Sequence, residues 1–341
     1  MKELVLTGAN HVDLLDKNQP KLTDGEALVK IAYGGICGSD VHIMCGQHPT
    51  AKPPFIMGHE ACGVIDSIAA GTETDLQIGD IVALHPVRQC YVCDACHNGL
   101  ENLCDEIKIC GAGIDGFYMQ YKAVPIQRLV KFTQCKDLKL CALAEPLTVA
   151  VHCFRATSMK PGDSVFIAGA GTIGIILAIM ARFYGSRKVV LVEVNSDRIE
   201  IAKKFGFDVL DGADPNVVET AIASNNGEFF EHTFEVSGHQ SGFDNCLKLT
   251  KKNGYMIQVG MPPHGFEIDI DQLIYKELTM KGVRHHRIDD MVMAVKIIDS
   301  GLLNDQLINI ISDVYKKEDS QEAFKTAIND KTKLKVLIDF S

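Results

Sequence analysis

Four cysteines stand close together in the second quarter of the chain. Cys90, Cys93, Cys96 and Cys104 give the spacing C-x2-C-x2-C-x7-C. Four thiolates this close in sequence can form a tetrahedral shell around Zn²⁺, and a closed shell leaves no position for a substrate. Disulfide pairing is the alternative, but two tandem x2 spacings in a sizeable chain without a signal peptide favour metal ligation. The spacing therefore predicts a structural zinc site.

A second set of metal-binding residue types is spread along the chain. It consists of Cys37, the adjacent pair His59 and Glu60, and Glu145. One cysteine, one histidine and one or two carboxylates suit Zn²⁺, and three protein ligands plus a water leave a position open for a substrate. Taken singly, each also has a structural explanation as a buried thiol, a hydrogen-bonded histidine or an ion-paired carboxylate. Residue types alone leave both interpretations open.

A glycine motif indicates a dinucleotide site. The segment Gly169-Ala170-Gly171-Thr172-Ile173-Gly174 is G-x-G-x-x-G, and it follows an apolar strand and begins an apolar helix. In this pattern the first glycine permits a tight turn, the second lets the pyrophosphate approach the backbone, and the third allows close helix–strand packing. The N–H groups of the helix N-terminus then face the phosphates. We assign Thr172 and Ile173 to the same coenzyme turn.

The next strand carries the acidic residue that such a site requires. Glu193 lies nineteen residues after Gly174, where a carboxylate accepts hydrogen bonds from the adenosine ribose. A carboxylate there repels a 2′-phosphate, and no arginine follows it directly. Arg198, five residues on, is placed to lie along the adenine side. The sequence predicts NAD rather than NADP.

Together these motifs resemble the zinc-containing medium-chain dehydrogenases over essentially the whole chain. The matching segments are G-I-C-G-S-D-x-H, G-H-E, the four-cysteine loop, A-E-P and the glycine motif, in the family's order and spacing. The sequence is most similar to the polyol branch, that of sorbitol (L-iditol 2-) dehydrogenase. The resemblance implies that Cys37, His59 and Glu60 bind the catalytic zinc, with Glu145 as a fourth or water-bridged ligand. Relatives of the horse-liver type have a cysteine where Glu145 stands.

The resemblance also implies a reaction. It is hydride transfer between a polyol, or another small secondary alcohol, and NAD, in which zinc lowers the pKa of the substrate hydroxyl. Ser39 and His42 would conduct the released proton to solvent by way of the nicotinamide ribose. Polyol relatives have an arginine and an aromatic residue facing the substrate. Arg284 matches that arginine, and His285 stands in place of the aromatic residue.

The elements that must position these groups indicate an α/β protein of two domains. Up to about residue 145, short apolar runs separated by Gly, Pro and Asp favour strands. From about residue 161, strands alternate with helices, which is typical of a parallel sheet. The resemblance implies a GroES-like catalytic domain of residues 1–150 and 285–341 holding both zinc sites, and a Rossmann NAD-binding domain of residues 151–284. It places the active site in the crevice between them. The predicted last strand, 334–338, is expected to return to the N-terminal β region.

Composition excludes some functions. The chain has 341 residues, 46% of them hydrophobic, and a formal net charge of −10. Such a negative charge disfavours binding to nucleic acid or to acidic membrane surfaces. Without a signal peptide at the N-terminus, we expect a cytoplasmic protein. Relatives imply a homodimer or a homotetramer.

We weigh three alternatives: another substrate, a non-catalytic protein and a zinc-free reductase. For the first, threonine 3-dehydrogenase, butanediol dehydrogenase and hexitol-phosphate dehydrogenases (galactitol-1-phosphate among their substrates) share most of these motifs. Threonine 3-dehydrogenases usually have threonine at Ser39 and aspartate at Glu145, which counts against that substrate. A non-catalytic relic of the family would lack zinc ligands, and zinc-free quinone reductases lack Cys37, His59 and the four-cysteine loop.

Overall fold

The structure is a computed structural model that describes residues 1–48, 51–262 and 264–341. It divides into two compact units. The first, here called the catalytic unit, contains Met1–Thr148 and His285–Ser341. The second, here called the coenzyme unit, contains Val149–Arg284.

Short strands dominate the first 155 residues. The strands are β1 (Lys2–Gly8), β2 (His11–Asp16), β3 (Glu26–Gly35), β4 (Phe55–Ile56), β5 (Glu60–Ile68), β6 (Ile81–Leu84), β7 (Val87–Arg88), β8 (Lys108–Ile109), β9 (Tyr121–Pro125) and β10 (Leu129–Lys131). The helices are α1 (Gly38–Met44), α2 (Asp94–His97), α3 (Leu138–Cys141) and α4 (Ala144–Arg155).

Strands and helices alternate in the coenzyme unit. The strands are β11 (Ser164–Ala168), β12 (Lys188–Glu193), β13 (Asp208–Asp211), β14 (Phe230–Glu235), β15 (Thr250–Gln258) and β16 (Thr279–Gly282). The helices are α5 (Thr172–Phe183), α6 (Ser196–Lys204), α7 (Val217–Ser224), α8 (Gln240–Leu249) and α9 (Ile270–Tyr275).

The C-terminal segment then returns to the catalytic unit. It contains α10 (Ile288–Ser300), α11 (Asn304–Leu307), β17 (Ile311–Lys316), α12 (Ser320–Asn329) and β18 (Lys335–Asp339). Short 3₁₀ turns cover Glu101–Leu103, Ile126–Arg128, Ile308–Ile310 and Lys317–Asp319.

The main sheet of the catalytic unit joins both ends of the chain. Its strand order is β10-β6-β5-β3-β18-β17, and β9 also pairs with β3. β18 pairs antiparallel with β3, with Leu337 opposite Gly35. The last strand therefore does return to the N-terminal β region, as expected. A smaller sheet has the order β2-β1-β4, and β7 pairs with β8.

The coenzyme unit contains one parallel sheet. Its order is β13-β12-β11-β14-β15-β16, and all five strand pairs are parallel. The chain starts in the middle and winds outward in both directions, which is the doubly wound order of dinucleotide-binding folds. The predicted fold class, a β-rich domain with a doubly wound parallel sheet, is confirmed. The apolar run 255–260 fitted an edge or a central strand equally well, and β15 lies between β14 and β16.

Two aromatic residues fill the core of the catalytic unit. Phe117 and Tyr118 are 1% and 0% exposed and belong to its apolar cluster. The Tyr118 ring stacks on Phe340 of the C-terminal tail, with centroids 5.9 Å apart. Its hydroxyl lies 2.7 Å from the Gly35 carbonyl oxygen and 3.0 Å from Asp40 Oδ2. Tyr118 thus ties the returning tail to the segment that follows β3.

No helix formed by the described residues is long and apolar enough to cross a membrane.

Removing the Tyr118 hydroxyl should destabilise the catalytic unit. Tyr118→Phe leaves two buried acceptors without that donor, so we expect a loss of about 1–3 kcal/mol in the free energy of unfolding. Tyr121→Phe, in β9, removes a hydroxyl from a half-buried ring and should change it by less than about 0.5 kcal/mol. Urea unfolding followed by circular dichroism measures both. Equal losses would contradict the structural role assigned to Tyr118.

Candidate metal centres and coenzyme turn

Three of the predicted catalytic ligands come together at the end of β3 and the start of β5. Gly35 lies opposite Glu60 in the register of these antiparallel strands, and Cys37 follows two residues later as the N-cap of α1. The Cys37 thiol, one His59 ring nitrogen and one Glu60 oxygen all lie within 4.8 Å of one another. A Cβ atom at residue 35 would overlap the Glu60 carboxylate, so the glycine makes room for it.

Asp40 positions both ligand segments. This carboxylate is fully buried; its Oδ2 accepts a hydrogen bond from the Cys37 backbone N–H at 3.0 Å and its Oδ1 one from the Gly58 N–H at 3.2 Å. Oδ1 also lies 3.7 Å from His59 Nδ1. A carboxylate facing the second ring nitrogen is the arrangement that orients metal-binding histidines. Asp40 therefore prepares His59 to bind a metal through Nε2.

The electrostatics around His59 favour a cation. Burial lowers the pKa of His59, but the negative charges of Asp40 and Cys37 outweigh burial and raise that pKa well above its usual value. Its Nδ1 atom is buried and has no hydrogen-bond partner. A cation held by Cys37 and His59 would offset the same negative charge that otherwise favours a proton on the ring. Sulfur, nitrogen and carboxylate donors in one buried group fit Zn²⁺.

Lys335 holds the Glu60 carboxylate. Its Nζ atom donates to both carboxylate oxygens, at 2.7 and 2.6 Å, and to the Ile36 carbonyl oxygen at 3.1 Å. Lys335 and Glu60 are 3% and 1% exposed. Burial lowers the pKa of Lys335, but the negative charge of Glu60 outweighs burial and raises that pKa above its usual value. The lysine therefore stays charged. A carboxylate offers about four lone-pair directions. Those that Lys335 does not use are available to a metal.

Glu145 is held by His286, which in turn contacts His85. At the start of α4, its Oε1 lies 2.9 Å from His286 Nε2, and His286 Nδ1 lies 3.1 Å from His85 Nε2. The three side chains are buried. Burial raises the pKa of Glu145, but the hydrogen bond and charge of His286 outweigh burial and lower it. Glu145 is therefore a fixed carboxylate, and its charge acts on His59 and Glu60. Its oxygens are not among the donor atoms of Cys37, His59 and Glu60 that lie within 4.8 Å of one another.

The two predicted proton-relay residues lie on α1. Ser39 Oγ is 3.5 Å from His59 Nε2, next to the candidate metal position. His42 is exposed, and its Nδ1 lies 2.8 Å from Gln47 Oε1. Residues three apart share one face of a helix. Ser39 thus lies at the metal site, and His42 lies at the surface on the same face of α1.

The four cysteines of the loop also come together. The sulfurs of Cys90, Cys93, Cys96 and Cys104 lie within 4.8 Å of one another, and Cys90 Sγ is 4.0 Å from Cys96 Sγ. Zn–S bonds of about 2.3 Å in a tetrahedron place sulfurs about 3.8 Å apart. Backbone N–H groups of Val92 and Cys93 donate to Cys90 Sγ, at 3.5 and 3.3 Å. Hydrogen bonds from the Asp105 and Cys96 backbone N–H groups lower the pKa of Cys93 to about 7. The loop fits a closed zinc site.

The glycine motif forms a turn between β11 and α5. Gly169 has φ of +111°, a conformation that favours glycine, and a Cβ at residue 174 would overlap the Gly169 carbonyl oxygen. Gly171 is the N-cap of α5, and a Cβ there would meet open space. Thr172 and Ile173 form the first turn of the helix. Backbone N–H groups beside open space, at a helix N-terminus, fit a pyrophosphate group.

Glu193 closes this turn at the end of β12. Its Oε2 accepts a hydrogen bond from the Ala170 N–H at 2.9 Å, and its Oε1 accepts from Val194 and Asn195. Arg198 lies in the first turn of α6, and its Nε atom is buried without a hydrogen-bond partner. The Glu193 carboxylate is thus fixed against the glycine turn, and the Arg198 guanidinium has an unused donor.

Several contacts at the catalytic centre carry no local sequence signal. Asp40 lies within the G-I-C-G-S-D-x-H segment. Lys335 stands in the otherwise apolar sequence 334–338, which hints at a buried partner. His85 and His286 have no such hint. The predicted substrate residue Arg284 is exposed after β16, whereas His286, two residues later, contacts Glu145.

Comparisons with known proteins agree with this architecture. Residues 23–134 match the alcohol dehydrogenase GroES-like domain, and residues 172–300 match the zinc-binding dehydrogenase domain. A probable D-xylulose reductase A from Aspergillus terreus is 32% identical over 94% of this chain and 93% of its own length. The crystal structure of L-idonate 5-dehydrogenase from Escherichia coli K-12 is similar, with a TM-score of 0.89, 28% identity, and coverage of 99% of this chain and 97% of that chain. The 2R,3R-butanediol dehydrogenase from Bacillus subtilis also has a TM-score of 0.89, at 25% identity and 99% coverage of both chains.

A metal-binding β unit combined with a doubly wound coenzyme unit defines a zinc-containing, NAD-linked oxidoreductase of alcohols. The chain belongs to the zinc-containing medium-chain alcohol dehydrogenase family, in its polyol branch. The family, the reaction class, and zinc and NAD as cofactors, all expected from the motifs, are confirmed.

Removing Lys335 should destabilise the protein strongly. Lys335→Met leaves the buried Glu60 charge without its partner, so we expect the free energy of unfolding to fall by about 3–5 kcal/mol. Lys333→Met is the matched control, because that lysine pairs with Asp313 where both side chains are partly exposed, at 29% and 32%, and it should cost less than about 1 kcal/mol. Urea unfolding measures both. Similar losses for the two variants would contradict the assigned role of Lys335.

The two metal sites should be separable by mutation. The wild type should contain two zinc ions per chain, and Cys37→Ser and Cys96→Ser should each contain one. Loss of the closed site in Cys96→Ser should lower the melting temperature more, since that metal fixes a loop. Inductively coupled plasma mass spectrometry and thermal unfolding measure the two properties. Two zinc ions in either variant would show that its cysteine is not a ligand.

Proposed function

We propose that this enzyme interconverts a small polyol and the corresponding ketose with NAD. The main observation behind this proposal is the group of Cys37, His59 and Glu60, whose donor atoms lie within 4.8 Å of one another, with the Glu145 carboxylate fixed by His286. The D-xylulose reductase and L-idonate dehydrogenase relatives support a polyhydroxylated substrate. The oxidised carbon would be a secondary one.

The proposed ligands of the catalytic zinc are Cys37, His59 and Glu60, and Glu145 is a fourth ligand or binds through water. When bound, zinc supplies a Lewis acid that lowers the pKa of a substrate hydroxyl, and NAD supplies the hydride acceptor. Asp40 orients His59, and Lys335 and His286 hold the two glutamates in place. These contacts fix the ligands before a substrate arrives.

Ser39 and His42 are the proposed proton path. Ser39 Oγ would accept the proton of the substrate hydroxyl while its own hydroxyl proton passes on towards His42, and the exposed His42 ring would release a proton to solvent. The position of Ser39 next to His59 Nε2 supports this order. The nicotinamide ribose is the proposed bridge between the two side chains.

The coenzyme unit provides the proposed NAD contacts. Gly169, Gly171, Thr172, Ile173 and Gly174 bind the pyrophosphate, and Glu193 accepts from the ribose hydroxyls. The Glu193 carboxylate disfavours NADP through its negative charge. Arg198 contributes a donor along the adenine side.

Arg284 is the proposed contact to substrate hydroxyls. A hexitol phosphate, threonine or butanediol is the alternative substrate class. A cytoplasmic location and a homodimeric or homotetrameric assembly are further parts of the proposal, and they rest on the family resemblance.

A substrate panel tests the proposed function. Xylitol, sorbitol, iditol, galactitol, butanediol, threonine and a hexitol phosphate should be assayed with NAD and with NADP, by following reduced coenzyme at 340 nm. We expect the highest kcat/KM with a polyol and NAD, and loss of activity after removal of zinc with a chelator. A preference for threonine, butanediol or a hexitol phosphate would assign the alternative substrate.

Cys37→Ser is the control for the chemical step. It should bind NADH with unchanged affinity, because the coenzyme turn is untouched, and show no turnover. Turnover at the wild-type rate in this variant would contradict the assigned ligand set.

A further inference from the structure

A cavity apart from the catalytic centre lies within the catalytic unit. It has a volume of about 520 Å³, which falls in the range of small-molecule sites. Arg88, Lys122 and Arg128 line it, and His85 forms part of its wall. Among the described residues that line it, none is a candidate zinc ligand or proton-relay residue. The cavity is therefore separate from the catalytic centre.

Arg128 is the best-buried cation of this cavity. The residue is 5% exposed, and its Nη2 donates to Gln89 Oε1 at 2.8 Å. Its Nη1 atom is buried and has no hydrogen-bond partner. Burial lowers the pKa of Arg128, and the Tyr91 hydroxyl offsets part of that effect. A buried guanidinium with an unused terminal nitrogen is a donor that a bound oxyanion would satisfy.

The rest of the lining leaves an excess of positive charge. Lys122 Nζ donates to the Asp115 backbone carbonyl oxygen at 2.9 Å, and burial lowers the pKa of this lysine. Burial also lowers the pKa of His85 well below its usual value, so the ring is neutral near pH 7. The ion pairs of the described residues do not include Arg88, Lys122 or Arg128.

The two acidic residues on the cavity are engaged elsewhere. Glu26 Oε2 accepts from the Thr23 N–H and hydroxyl, at 2.9 and 2.8 Å. Asp115 Oδ1 accepts from the Ile56 N–H at 3.3 Å. Arg88, Lys122 and Arg128 thus line the cavity together with two carboxylates, which leaves one positive charge in excess. A ligand with several acceptor oxygens would provide the interaction that these cations lack.

We propose that this cavity is a binding site for a phosphate group, either as the free ion or as the ester of a small metabolite. The guanidinium groups of Arg88 and Arg128 and the ammonium group of Lys122 would bind its oxygens. The volume exceeds what inorganic phosphate alone needs, so a small phosphorylated polyol or sugar also fits.

The site is connected to the catalytic centre. His85 lines the cavity, its Nε2 lies 3.1 Å from His286 Nδ1, and His286 Nε2 lies 2.9 Å from Glu145. A phosphate beside His85 therefore lies one histidine away from the group that holds Glu145. This geometry gives the proposed ligand a route to influence the catalytic centre without entering it.

Isothermal titration calorimetry of the zinc-loaded enzyme tests the proposal. Inorganic phosphate and a hexitol phosphate are titrated separately, at constant ionic strength and with saturating NADH, which occupies the phosphate site of the coenzyme turn. We expect saturable binding of at least one of them. Similar affinities would assign the site to free phosphate, and clearly tighter hexitol phosphate binding would assign it to an ester.

Variants locate the binding. Arg88→Ala and Lys122→Met should each weaken it by about 10-fold or more, since each removes a charge-assisted contact. Arg88 is exposed, so this variant should fold normally, as circular dichroism and zinc content would show. Lys21→Gln, an exposed lysine outside the cavity, is the control and should bind like the wild type.

Two results would overturn the proposal. One is the absence of saturable binding for both compounds. The other is an unchanged affinity in Arg88→Ala and Lys122→Met, which would place any bound phosphate elsewhere on the protein. Neither result bears on the polyol activity, which is measured separately by turnover.

Discussion

The catalytic unit depends on the buried carboxylate of Asp40. Removing such a group from water costs several kcal/mol unless its oxygens and its charge are compensated. Hydrogen bonds from the Cys37 and Gly58 backbones satisfy the oxygens, with the Tyr118 hydroxyl nearby. Its charge faces the ring of His59. Because these donors belong to the two segments that carry the metal-binding side chains, one carboxylate fixes the separation of Cys37 and His59. A zinc ion bound by them completes the charge balance, so metal binding and local folding are coupled.

The C-terminal segment supplies the groups that hold the two glutamates. Lys335, at the start of β18, donates to Glu60, and His286, just before α10, contacts Glu145. This gives a chemical reason for the return of residues 285–341 to the catalytic unit after the coenzyme unit. A catalytic unit without this segment would leave two buried carboxylates without donors. The same segment contributes Phe340 to the core against Tyr118, so packing and charge compensation depend on one chain return.

Much of the fold follows from local patterns. The parallel sheet was predictable because short strands such as the apolar β11 and β12 alternate with helices, and this alternation admits few topologies. Most short strands of the catalytic unit had to await the structure, since strand pairs such as β1–β2 and β3–β9 depend on partners more than on propensity. The position of β15 was undecided for a related reason. An apolar run fits an edge or a central strand, and only the neighbouring strands decide between them.

By itself, the sequence determined the chemistry that is local. The four-cysteine spacing, the glycine turn with Glu193, and the Cys37 and His59-Glu60 segments are short, and their geometry depends on a few adjacent residues. Tertiary structure alone decided which groups hold these side chains and where charge is left over. Lys335 and Glu60 are 275 residues apart, and His286 and Glu145 are 141 apart. The cavity likewise collects Arg88, Lys122 and Arg128 from separate strands and turns. No spacing rule links such residues, because their proximity arises from the pairing of strands and the return of the chain.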